Sequence, residues 1–126
     1  MPEGRKYDLL ERAEKFSLHV RDFCLKQRQD IVNREYIIQL VRSAGSVAAN
    51  YIEANENLGD KDLKFRIKVC RKESKESQLW LKHILAYGNN EYESTRISLL
   101  QESFELERIF DAILKKLAMK TGGSTI

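Results

Sequence analysis

The sequence predicts an all-α protein, an antiparallel up-down four-helix bundle that assembles as a homo-oligomer. Three observations carry that prediction. Helix breakers are scarce, with one proline, Pro2, and six glycines in 126 residues. Apolar residues recur at alternating three- and four-residue steps over four long stretches joined by short polar links. One stretch, Asp60 to Tyr87, carries two apolar lines where a bundle requires one. The length suits a single domain over residues 1–126, large enough to bury a core without a disulfide. Helices are expected over about 5–28, 34–57, 60–87 and 93–120, with 121–126 as a flexible tail.

In the first helix Leu9, Ala13, Phe16, Val20 and Phe23 form the core stripe. Leu18 and Leu25 point nearly the opposite way, on the side of Tyr7. They read either as ordinary surface leucines or as a second contact face, and the doubled line of the third helix favours contact. Gln27 to Asn33 is a polar connection, and Asn33 is expected to cap the second helix. There Tyr36, Ile37, Leu40, Val41, Ala44, Ala48 and Tyr51 make the core face. Gly45 costs about 1 kcal/mol against alanine in mid-helix, which suits a place where another backbone comes close. Ser43, Ser46, Asn50 and Glu53 line a further face. Gly59 suits a helix C-terminus, and Asp60 or Asp62 favours the N-terminus that follows.

The third helix is expected to run about eight turns, roughly 40 Å. Leu63, Ile67, Cys70, Ser74, Ser77, Leu81 and Ile84 step along its core face. Phe65, Val69, Glu73, Glu76, Trp80 and Tyr87 make a second line. Lys61, Lys64, Lys68, Arg71 and Lys75 make a third, purely basic. Gly88-Asn89-Asn90 is a turn signal. In the last helix Leu99, Leu106, Phe110, Ile113 and Leu117 form the core line, widened by Phe104 and Leu114. Lys115, Lys116 and Lys120 sit where they favour the negative end of its dipole.

The formal charge is only +3, but residues 60–90 hold eight basic and four acidic side chains. An anionic partner should therefore meet the third helix. No apolar run approaches the ~18 residues of a membrane span, and MPEGRKYD lacks a signal-peptide core, so the expected location is cytoplasmic. Cys24 and Cys70 are expected as buried, reduced thiols. The residues three before His19 and His83 are Phe16 and Trp80, not the glutamates of a di-iron bundle. Hydrolase, phosphate-loop and zinc-protease motifs are missing too. No metal, cofactor or catalytic activity is expected.

Two blocks carry a family resemblance: LVRSAGSVAANYIEA, from Leu40 to Ala54, and FRIKVCRKESKESQLWL, from Phe65 to Leu81. The chain resembles the family called four helix bundle proteins, which includes proteins encoded in intervening sequences of bacterial 23S rRNA genes. Its members carry a similar small-residue run ending Ala-Asn-Tyr-x-Glu-Ala. They also carry a helix with two glutamates, matched by Glu73 and Glu76, before an aromatic-Leu pair matched by Trp80 and Leu81. The resemblance implies a homopentamer of bundles around a central axis. Also similar is the accessory protein of diversity-generating retroelements, which implies nucleic acid and a reverse transcriptase as partners.

Two surfaces are candidates for function. Leu18, Leu25, Phe65, Val69, Glu73, Glu76, Trp80 and Tyr87 are read as a subunit interface, the other reading being a widened core. Within it Glu73 and Glu76 are either exposed ion pairs or carboxylates that set the register of the contact. Lys61, Lys64, Lys68, Arg71 and Lys75 are the candidate nucleic-acid surface, the other reading being a solvated face. Repeated around a ring, they would hold RNA or DNA phosphates without reading sequence. The alternative function is an adaptor that docks protein partners and never touches nucleic acid.

Overall fold

The computed structural model describes residues 8–56 and 58–120. These contain four helices and no strand: α1 (Leu9–Lys26), α2 (Ile31–Ala54), α3 (Asp60–His83) and α4 (Asn90–Lys120). Tyr7 and the tail at 121–126 lie outside the described residues, and three expected bounds are corrected: α1 opens at Leu9 behind its Asp8 cap rather than near residue 5, α1 ends at Lys26 rather than near 28, and α2 ends at Ala54 rather than near 57. Chain neighbours pack on one another, and α1 also meets α4, so the four enclose one core.

Each start has a local cause. The Asp8 carboxylate accepts from the Glu11 amide at 3.0 Å, so α1 opens on a side-chain cap. Asp30, not Asn33, caps α2, accepting from the Asn33 amide at 2.8 Å and starting the helix three residues before the expected 34. Asn89 accepts from the Tyr92 amide at 2.9 Å, so α4 begins at Asn90 rather than near 93. Only α3 lacks a side-chain cap; Gly59 precedes it at φ 114°. There Asp60 and Asp62 meet the positive end of the dipole instead.

The third helix is shorter than its pattern predicts. It has 24 residues, about 36 Å at about 1.5 Å per residue, and the longest is α4 with 31. Beyond His83 the backbone turns extended at Ile84, yet Ile84 stays fully buried. Its place in the core is kept by the link rather than by a helical turn. The cause is Asn33, fully buried at the start of α2. Its side-chain amide donates to Leu85 O at 2.9 Å and Arg28 O at 3.0 Å, and its oxygen accepts from Leu85 N at 2.8 Å. One side chain thus ties the α1–α2 link to the α3–α4 link. Beside it, Tyr87 adopts φ 55°, donates its hydroxyl to Asp30 and lies under the Arg28 guanidinium at 3.7 Å.

The core stripes of α1 and α3 are buried as their spacing predicts, except for Leu63, which is half-buried against the core. Phe16, Val20, Ile67, Cys70 and Leu81 are at most 1% exposed, and so are Leu40, Leu106 and Phe110. Val41 and Phe104 are corrections: both are exposed, and Val47 and Ser103 take inward positions on those helices. Between α2 and α3 small side chains carry the contact. The Ser43 and Ser77 hydroxyls lie 2.8 Å apart, and Cys70 Sγ donates to Val47 O at 3.4 Å.

Gly45 corrects another expectation. A Cβ built there would meet only Ser17 Oγ at 3.9 Å, an ordinary contact, so no backbone of this chain requires glycine. Gly45→Ala is expected to stabilise the protomer by about 0.5–1 kcal/mol, read as a rise of a few degrees in Tm. A lower Tm, or a smaller assembly, would place a second copy's backbone against that position.

Candidate functional site

The outward side of α3 gathers charge. Lys61, Lys68 and Lys75 are exposed, and Lys64 and Arg71 are half-buried. Arg71 is engaged: its Nη1 donates to Asp111 Oδ1 on α4 at 3.0 Å. The four lysines make no ion pair among the described residues. The last turns of α4 come beside the first turns of α3, which adds Lys115. Lys64, Lys68, Arg71 and Lys115 line a depression of about 220 Å³ with Asp111 and Leu114. A second depression, of about 300 Å³, is lined by Asp60, Lys61, Lys64, Phe65 and Lys68. Lys64 and Lys68 belong to both, so the two run together. In the sequence Lys115 reads only as a helix-end charge, because its role depends on which helix it lies beside.

The second line of α3 meets several environments. Phe65 is 56% exposed and stands among the lysines. Val69 is half-buried. Glu73 is buried, with Oε1 3.8 Å from Arg42 and Oε2 3.5 Å from Lys72. Glu76 is half-buried and meets the same two cations at 3.5 and 3.7 Å. Arg42 of α2 is therefore the partner that ties both glutamates across the α2–α3 seam. Trp80 is half-buried against the core, stacked on Tyr36 at 6.0 Å with the His83 ring edge-on at 6.2 Å. Its indole N–H is buried and finds no acceptor. Tyr87 leaves the line because the helix ends first. Leu18 and Leu25 are exposed on α1. Ile38, Val41 and Ile52 are exposed on α2, a greasy side that the sequence reading had not singled out.

Both cysteines and the Arg12 guanidinium are held in defined surroundings. Burial pushes the Cys24 and Cys70 thiols up to about 12, so both stay protonated at neutral pH. A depression of about 420 Å³ between α1 and α4 is lined by Arg12, Lys15, His19, Gln101, Glu102 and Glu105 among others. The Arg12 guanidinium bonds Glu102 at 2.7 and 2.9 Å and Glu105 at 2.6 Å, which raises its pKa further. Among the described residues no three His, Cys, Asp or Glu side chains gather to hold a metal, and no helix is long and apolar enough to cross a membrane.

Four helices around one core, with a cationic outer face on α3, define an all-α four-helix protein. Its fold is similar to the crystal structure of a protein of unknown function from the S23 ribosomal protein family of Bacteroides thetaiotaomicron VPI-5482. The TM-score is 0.72 at 21% identity, over 85% of this chain and 98% of that one. At that identity the likeness is one of fold. No family model matches the chain, and no curated protein does.

Proposed function

We propose that this chain is a non-catalytic, cytoplasmic four-helix bundle that gathers as a homopentamer and binds RNA or DNA phosphates on the basic side of α3. The observation that carries the proposal is the row Lys61, Lys64, Lys68 and Lys75, which makes no ion pair among the described residues. Such a row contributes little within one protomer, whereas copies arranged in a ring join it into a band that attracts polyanions. The bundle is read as antiparallel and up-down. Across the α2–α3 seam the partners Asn33 and Leu85, Ser43 and Ser77, Val47 and Cys70, Asn50 and Arg66 run in opposite chain order. Assembly is supported by the exposed Leu18, Leu25, Ile38, Val41 and Ile52, more apolar surface on α1 and α2 than one copy covers. The subunit number, and a reverse transcriptase as a further partner, come from the resemblance of the Leu40–Ala54 and Phe65–Leu81 blocks.

The same exposed leucines and isoleucines favour a second reading, an adaptor that docks proteins there and binds no nucleic acid. A salt series separates the two. Binding of labelled RNA or DNA, followed by anisotropy with the mass tracked by light scattering, is expected to be tight at low salt and to weaken linearly on log axes. Retention that ignores salt, or none at low salt, would leave the adaptor reading in its place. A stable lone protomer would remove the ring.

A further inference from the structure

We infer that Phe65 is a stacking platform for an unpaired base, so that the basic side of α3 takes single-stranded RNA or DNA. This rests on the nucleic-acid reading above and narrows it to one substrate class. Phe65 is 56% exposed and shares its depression with Lys61, Lys64 and Lys68 rather than with other apolar side chains. The cations continue past it, through Lys64 and Lys68 into the depression that Arg71 and Lys115 line. Cations therefore track across two helices with one ring standing among them. Single strands use that combination: the backbone follows the charge and bases stack on an aromatic face. A duplex keeps its base faces against one another and has none to offer.

The ring is steadied by a cation that lies over it, which leaves its other face for a base. The Arg66 guanidinium lies 5.4 Å from its centroid, and Arg66 is itself held by Asn50 at 3.1 Å and Asp62 at 3.6 Å. Two carboxylates stand near the track, and neither cancels it. Asp111 is occupied by Arg71 at 3.0 Å. Asp60 lies in the first turn of α3, where the helix dipole compensates it. An anionic membrane would need a broad apolar face under the cations. Here Phe65 is the one apolar side chain lining the depression it shares with Lys61, Lys64 and Lys68, and the exposed Leu58 and Met119 stand apart from it, on the preceding link and in the last turn of α4.

The test compares oligodeoxyadenylate with an abasic strand of equal length, which has the same phosphates and no base faces. The parent protein is expected to bind the base-bearing strand about tenfold more tightly. Phe65→Ala and Phe65→Leu erase that preference, Phe65→Trp keeps it, and all three retain the parent's mass in light scattering. If Phe65→Ala keeps the preference, the inference fails while phosphate binding stands. If neither strand binds at low salt, both fail. A duplex bound as tightly as the single strand overturns the inference, as does a smaller assembly in Phe65→Ala, which would make Phe65 a subunit contact. Capture of phosphatidylserine vesicles in place of either strand would give the surface to a membrane.

Discussion

Lys64, Lys68 and Lys115 changed together to glutamate are expected to weaken RNA or DNA binding about a hundredfold at ~0.1 M salt and to lower the salt slope by about three. All three line the same depression between α3 and α4, although Lys115 lies far away in sequence. None of them is ion-paired among the described residues, so the substitutions break no bond that holds the bundle. Arg71 is left in place deliberately. A glutamate there would face Asp111, now 3.0 Å from the guanidinium, and the resulting repulsion would mix stability with binding. The variant should therefore keep the parent's mass and lose only about 1 kcal/mol in urea, from the like charges that the new glutamates at positions 64, 68 and 115 place one turn from Asp60, one another and Asp111. Affinity within twofold of the parent would show that nucleic acid, if bound, meets another face.

Asn33→Ala is expected to cost about 3 kcal/mol, from three lost hydrogen bonds and a Leu85 amide left without an acceptor. Asn33 is fully buried, so water does not readily replace it. Asn33→Asp is a sharper probe of the same geometry. Its carboxylate could still accept from the Leu85 amide, but it would aim negative charge at the Leu85 and Arg28 carbonyls that now receive the amide hydrogens. It should be at least as harmful as alanine near neutral pH. The readout is the urea midpoint at unchanged m-value. A loss below about 0.5 kcal/mol in Asn33→Ala would mean that the two links hold each other by packing alone.

The helical faces were legible because side-chain direction repeats every 3.6 residues whatever lies opposite. That suffices for Ile67, Cys70, Ser74, Ser77 and Leu81, small or apolar residues on one line that are all buried. It fails where a non-local partner decides. Asp30 and Asn33 are both good caps by composition, and only the nearness of Leu85 turns Asn33 inward. Ile84 and Tyr87 prolong the period of α3 past its end, so spacing alone could not see that the backbone had already turned. Among site residues, the lysines of α3 were found by run and spacing. Lys115 was missed as part of the site because its meaning comes from a neighbouring helix. Phe65 shares a line with Trp80, yet one ring stands in water among cations and the other leans on Tyr36.

The Asn33 bridge also divides the molecule into unequal ends. Peeling α4 away from the link it follows would first have to unpick the opening turn of α2, so that end gives way all at once or not at all. The opposite end begins α3 at Gly59 with no side chain closing its free amides. Breathing of the bundle should therefore start beside Lys61 and Phe65, which leaves the charged end freer to mould itself to whatever it grips.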